Sequence, residues 1–178
     1  MKKIIVIGGS NSKNSINKQL AIYAAGLLED VKTEIIDLSI FDLPIFSVDY
    51  ESEIGIPEKI IELSGIFDNT DGFIVSLAEH NGSYSVAFKN IFDWLSRING
   101  KVWRDKPMLL LSTSPGVRGG QSVLETALKR FPYNGGNIIG SFSLPQFNDN
   151  FKSGIIINDG LYKKLQYEIE NFQKSVKN

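Results

Sequence analysis

Residues 8–17, Gly8-Gly9-Ser10-Asn11-Ser12-Lys13-Asn14-Ser15-Ile16-Asn17, turn the apolar run Ile4-Ile5-Val6-Ile7 into a helical pattern through small and polar side chains. Gly8 and Gly9 permit tight backbone paths, and Ser10, Ser12 and Ser15 each offer a hydroxyl donor. The first N–H groups of the following helix lack intrahelical acceptors and lie where the helix dipole favours an anion. These are the parts of a phosphate-binding loop; they also make an ordinary strand-to-helix turn with a cap. The dinucleotide fingerprint G-x-G-x-x-G is absent, because no glycine follows Gly9 until Gly26. Nor is there a G-K-S or G-K-T triplet, since Lys13 stands between Ser12 and Asn14. A monophosphate therefore suits the loop better than a pyrophosphate. Asp37 ends the next strand, where an acid could meet a ribose, but that carries little without the glycines.

Two further segments carry possible chemistry. Ala78-Glu79-His80-Asn81-Gly82-Ser83-Tyr84 holds the only histidine, which excludes a metal centre built from several. Glu79 and His80 are adjacent, and on extended backbone neighbours point to opposite sides, which opposes an acid–base dyad. Asn81-Gly82 turns the chain sharply and leaves backbone donors and acceptors that suit a flat heterocycle. The plain alternative is a turn followed by a helix cap at Ser83. Ser112-Thr113-Ser114-Pro115-Gly116-Val117-Arg118-Gly119-Gly120 places Gly116, Gly119 and Gly120 within five residues, as close approach of backbone to a ligand or simple mobility requires. Arg118 suits the phosphate or ribose of a nicotinamide dinucleotide, and equally a solvated surface.

These segments must be positioned by the elements between them. Short branched-apolar runs predict strands over Lys3–Ile7, Lys32–Asp37, Gly72–Leu77, Pro107–Ser112 and Asn137–Phe142, apolar on both faces in the centre as buried parallel strands are. Helical spacing predicts helices from Asn17, from Pro57, over Ser83–Ile98, over Gly120–Arg130 and over Asp159–Val176. Five alternations predict an α/β fold: a three-layer sandwich on a parallel sheet, because right-handed crossovers put helices on both faces. Open parallel sheets bind ligands beyond the carboxyl ends of their strands, and that rule selects the three segments above. The tract Leu38–Gly55 has no clear pattern, and its length suggests function rather than mere connection.

The 178 residues fit one domain with a sizeable core. A net charge of -1, from 19 basic and 20 acidic residues, gives no reason to expect nucleic acid or an anionic membrane as partner. No stretch approaches the roughly 20 apolar residues of a membrane span. The apolar run after Met1-Lys2-Lys3 is too short for a signal peptide and reads as a first core strand, so a cytoplasmic location is expected. The absence of cysteine excludes disulfides, thiol chemistry, cysteinyl metal sites and iron–sulfur clusters. Redox chemistry would need a bound cofactor.

The three segments together resemble the NAD(P)H-dependent FMN reductase family of flavodoxin-like proteins, which includes quinone, azo-dye and chromate reductases. The matching pieces are Gly9-Ser10…Ser15-Ile16-Asn17, Glu79-His80-Asn81-Gly82-Ser83-Tyr84 with Phe88-Lys89-Asn90-Ile91-Phe92-Asp93-Trp94, and Ser112…Gly116…Gly119-Gly120. The middle motif is the specific one. The resemblance implies a flavodoxin-like sandwich with sheet order 2-1-3-4-5. It implies that Ser10, Ser12, Ser15, Ile16 and Asn17 surround the phosphate of FMN. Glu79, His80, Asn81, Gly82, Ser83 and Tyr84 would border the isoalloxazine ring, and Ser112 with Gly116, Gly119 and Gly120 the ring or ribityl chain. The family commonly carries arginine where this chain has Ser12, so a bidentate phosphate contact is missing and Lys13 is the available substitute.

The resemblance further implies hydride transfer from NADPH or NADH to FMN, then electron transfer to a quinone, azo compound, metal oxyanion or free flavin as small-molecule acceptor. That chemistry needs no side-chain nucleophile or base, which suits a site rich in glycine and serine. A non-enzymatic FMN carrier, a flavodoxin proper, is the alternative from another class, and a flavin-free binding protein is another. The Phe88–Trp94 helix carries more aromatic surface than one sheet face obviously needs. With the resemblance, this makes a homodimer or homotetramer the expectation, with the flavin near the subunit contact.

Overall fold

The computed structural model describes residues 1–177. β1 (Lys2–Gly9) leads through the serine-rich loop into α1 (Ile16–Ala25), and β2 (Val31–Ile36) follows. A 3-10 turn (Leu38–Ile40) and the short α2 (Val48–Ile54) precede α3 (Glu58–Asp68). β3 (Gly72–Leu77) runs into a tight hairpin of β4 (Glu79–His80) and β5 (Ser83–Tyr84), and then α4 (Val86–Ile98) begins. β6 (Lys106–Thr113), α5 (Gln121–Arg130), a 3-10 turn (Phe131–Asn134) and β7 (Gly136–Leu144) complete the alternation. α6 (Phe147–Asn150) and a hairpin of β8 (Phe151–Lys152) and β9 (Ile155–Ile156) lead to α7 (Asp159–Lys177).

Five strands form one sheet in the order β2-β1-β3-β6-β7, each neighbouring pair parallel. Counting only these strands, the order is the expected 2-1-3-4-5. Successive side chains of β1 go to opposite faces, as strand geometry requires. Ile5 and Ile7 join a core with α3, α4 and α5, whereas Ile4 and Val6 join one with α1 and α7. The central β3 is buried along its whole length, which explains a sequence that is apolar but for Ser76. Among the described residues no helix is long and apolar enough to cross a membrane.

Three sequence expectations change. The helix expected over Ser83–Ile98 starts later, because Ser83 and Tyr84 pair with His80 and Glu79 instead. Its cap is Ser85, whose Oγ accepts the Phe88 amide at 3.1 Å and donates to Gly9 O at 2.8 Å. The tract Leu38–Gly55 is ordered by α4: Asn90 Nδ2 and Trp94 Nε1 both donate to Pro44 O, and Asn90 Oδ1 accepts the Phe46 amide. The aromatic surface of α4 turns inward. Phe88, Phe92 and Trp94 are each buried, and Phe92 stacks on Trp103 at 5.8 Å and on Phe131 at 5.5 Å. These rings fill the subunit's own core and so call for no partner.

β1 and α1 approach each other so closely at Gly8 that a Cβ there would stand 2.5 Å from Lys18 Cα. The neighbouring atoms are backbone and cannot swing aside. Gly8→Ala should therefore lower stability by about 1–3 kcal/mol through overpacking, read as a lower denaturant midpoint with an unchanged m-value. A wild-type midpoint would show that α1 does not rest on Gly8.

Candidate functional site

The serine-rich loop, the hairpin after β3 and the loop after β6 meet at the carboxyl ends of the central strands. They enclose an open cleft of about 230 Å³ that includes Ser10, Ser12 and Ser15 on one side and His80 and Ser114 on the others. Asn17 joins the three elements from beneath. Its Oδ1 accepts from Ser76 Oγ at 2.7 Å and from the Thr113 amide at 3.0 Å, and its Nδ2 donates to Thr113 O at 3.1 Å. The residue is 2% exposed, so these bonds are made away from water and fix the relative height of α1, β3 and β6.

On the first loop Ser15 caps α1, its Oγ accepting the Lys18 amide at 3.1 Å, and Ser10 Oγ accepts the Ser12 amide at 3.1 Å. Both hydroxyls keep a proton free to donate. The amides of Ile16 and Asn17 have no protein acceptor among the described residues. The first turn of α1 contains no acidic residue. Unpaired donors at the positive end of a helix, with hydroxyls beside them, form a donor set for an anion. Lys18 Nζ lies 2.8 Å from Asp37 and holds that carboxyl down at about 2, with the Ser39 amide contributing. Lys18 is thereby neutralised, whereas the exposed Lys13 makes no ion pair among the described residues.

The second segment is a two-residue hairpin. Asn81 and Gly82 adopt φ of 52° and 76°, the paired positive values that a hairpin of the right twist requires. Alternation sends Glu79 and His80 apart, as expected of neighbours on extended backbone. His80 is exposed at the cleft, and Glu79 Oε2 accepts the Val123 amide at 3.0 Å, filling the place of a missing cap on α5. Tyr84 packs inward, its ring 6.1 Å from Phe131 and nearly parallel to it. Its hydroxyl is buried without a partner, and desolvation pushes it up to about 12.

Ser112 is fully buried below the third loop and donates to Gly119 O at 2.8 Å. Gly119 has φ of 59° and leaves no room for a side chain against Ser143 and Leu144. Thus Ser10, Ser12, Ser15, Ile16, Asn17, Glu79 and His80 line the cleft, while Asn81, Gly82 and Ser83 form the hairpin beside it. Tyr84, Ser112, Gly116, Gly119 and Gly120 lie outside the lining and shape the loops that make it. Asn14, Ala78, Thr113, Ser114 and Pro115 complete the walls without having been marked by a motif. Their signal was positional, since Ala78 directly follows β3 and Thr113–Pro115 begin where β6 ends. No group of three or more His, Asp or Glu among the described residues is placed to hold a metal ion.

His80 also borders a second cavity, of about 250 Å³, whose apolar walls include Phe41, Leu43 and Ile45 from the tract before α3 and Val86 from α4. Asn17→Ala would leave the Ser76 hydroxyl and the Thr113 amide unsatisfied, at about 1–3 kcal/mol for each buried group left without its partner. The variant should unfold at clearly lower denaturant, and amide exchange at Thr113 should quicken before the rest of β6. Unchanged exchange at Thr113 would show that Asn17 does not hold the strand end.

Comparison with known proteins gives this arrangement a lineage. The 2-hydroxy-1,4-benzoquinone reductase of a Burkholderia species is 36% identical over 119 residues, covering 66% of this chain and 63% of that protein. The quinone reductase of Escherichia coli K12 is 31% identical over 119 residues, again 66% of this chain and 63% of its own length. The chain therefore matches less than two thirds of the length of either relative. The flavoenzyme NAD(P)H:(acceptor) oxidoreductase FerB of Paracoccus denitrificans superposes with a TM-score of 0.80 at 25% identity, covering 99% of this chain and 98% of that one. The family model described as NADPH-dependent FMN reductase matches residues 2–149, from β1 through all three loops to α6, and by that match the chain belongs to the NADPH-dependent FMN reductase family.

Proposed function

We propose that the protein is an NAD(P)H-dependent FMN oxidoreductase that passes electrons to a quinone or a similar small acceptor. The observation that carries this reading is the donor set at the start of α1 facing a cleft with no acid–base pair. Ser10, Ser15 and the Ile16 and Asn17 amides would hold the phosphate of FMN, with Ser12 and the free cation Lys13 beside them in place of a fixed guanidinium. The backbone of Glu79, His80, Asn81 and Gly82 and the loop from Thr113 would border the ring. FMN supplies a site that accepts a hydride and returns electrons singly or in pairs. The chain's own contribution is to bind, orient and exclude water, since Glu79 and Asn17 are engaged in holding the loops.

The second cavity beside His80 suits a flat acceptor with an apolar body and polar oxygens, such as a quinone, as its walls combine Phe41, Leu43, Ile45 and Val86 with Asn11, Ser85 and Asn90. The exposed Ile45 and Val86 there also favour a homodimer, or a homotetramer, with a second copy over this side. The protein would work in the cytoplasm. Absorbance spectra of purified protein, before and after anaerobic addition of NADPH or NADH, test the assignment. Flavin bands that bleach on addition support it; a colourless protein that takes up no added FMN overturns it.

Two variants separate the parts of the site. Ser15→Asp keeps a good helix cap but places a carboxylate where the phosphate would lie. FMN should weaken at least tenfold more than riboflavin, which lacks the phosphate, in fluorescence titrations of both ligands. Equal weakening would remove the phosphate from this loop. His80→Gln should slow flavin reduction less than about tenfold, under roughly 1.4 kcal/mol of barrier, because hydride transfer to flavin needs no side-chain base. Stopped-flow reduction at saturating nicotinamide reads this, and a thousandfold loss with FMN still bound would make His80 a participant.

A further inference from the structure

A separate groove of about 780 Å³ runs from the third loop along the free edge of β7 to one face of α7. Its polar rim is cationic. Arg118 enters from the loop, and Lys163 and Lys164 from the first turns of α7. None of the three forms an ion pair among the described residues. Arg118 is held only by the Ser122 hydroxyl, at 3.2 Å.

The groove's one carboxylate, Glu168, does not balance them. It lies down over Gly140, where it fills the space a side chain would need, and takes the Ser141 amide as its partner. Burial there raises its pKa, and one carboxylate faces three cations. Tyr167 presents an aromatic ring that is 64% exposed, one helical turn beyond Lys163 on the same face. In a chain of net charge -1, three unpaired cations beside an open aromatic ring form a local site for a phosphate attached to a flat base.

We propose that this groove takes the adenosine 2′-phosphate end of NADPH, and that it makes the chain prefer NADPH to NADH. Arg118, Lys163 and Lys164 surround the phosphate, and Tyr167 stacks on the adenine. The assignment rests on the nicotinamide-dependent reading above and adds the part of the molecule that reading leaves unplaced. A phosphate monoester carries about -1.5 to -2 charges at pH 7, so the cations are compensated by NADPH and left unpaired by NADH.

Calorimetric titration of the full chain, with FMN present, tests this using 2′,5′-ADP, 5′-AMP and inorganic phosphate as probes. In low salt 2′,5′-ADP should bind at least tenfold more tightly than either of the others. The double variant Lys163→Gln/Lys164→Gln, whose side chains are exposed and outside the core, should weaken 2′,5′-ADP at least tenfold and abolish its advantage over 5′-AMP. Tyr167→Ala should weaken both nucleotides. Equal binding of 2′,5′-ADP and 5′-AMP to the unaltered chain overturns the proposal, as does 2′,5′-ADP binding that ignores the lysine substitutions. Inorganic phosphate binding as tightly as 2′,5′-ADP also overturns it, by removing any recognition of adenosine. The readout needs no turnover. Lysine-dependent 2′,5′-ADP binding by a protein that never oxidises NADPH would sink the oxidoreductase reading alone, whereas turnover without such binding would sink the groove alone.

Discussion

The site depends on one buried amide. Asn17 can accept two hydrogen bonds and donate through its nitrogen; α1 delivers it, and its partners lie on β3 and β6. A hydrophobic residue there could pack, but it could not satisfy the Thr113 amide and carbonyl together. The geometry of the amide thus determines how far α1 may slide along the sheet. Once that height is fixed, Ser15 and the first amides of α1 come to the same level as the ends of β3 and β6. Ser85 makes a parallel connection by reaching Gly9 O from the start of α4. Loops that carry few regular hydrogen bonds of their own are in this way tied to the rigid sheet.

Much of this was legible in the sequence, for identifiable reasons. The central parallel strands were legible because a strand covered on both faces must be largely apolar, as Phe73, Ile74 and Val75 are. The three loops were legible because an open parallel sheet offers ligands only one end. The division of labour within the loops was not. Asn17 and Ser15 look equally suited to a ligand in one dimension, yet one is consumed by the scaffold and the other faces the cleft. Glu79 likewise is expected beside a flavin ring, and its acceptor role toward Val123, a contact 44 residues away in sequence, carries no local signal. Tyr84 is expected to border a flavin ring, whereas its side chain turns inward against Phe131. Non-local hydrogen bonds and facing direction leave no periodic signature, and they decide these cases.

The aromatic residues of α4 show the same limit. Phe88, Phe92 and Trp94 look excessive for one helix because their partners arrive from other segments, Trp103 and Phe131 from later ones for the two phenylalanines and Phe46 from an earlier one for Trp94. The resulting cluster makes one sheet face dense and stiff, and that stiffness is what lets a hairpin of two-residue strands keep its place. A site for a planar cofactor gains from such rigidity, because the walls need not be reorganised on binding.

The fastening of the tract before α3 has a consequence for how this lineage can change. The hydrogen bonds by which Asn90 and Trp94 grip the chain at Pro44 and Phe46 reach main-chain atoms, a carbonyl and an amide that nearly every residue possesses, and the Trp94 ring adds an edge-on contact with Phe46. The side chains of Phe41 and Leu43 add packing against the core, whereas Ile45 stands 75% exposed and adds none. The exposed wall residues Ile45 and Val86 can accordingly be rewritten while the attachment stays intact, so the repertoire of molecules admitted beside His80 is free to drift at those two positions under selection that the fold hardly feels.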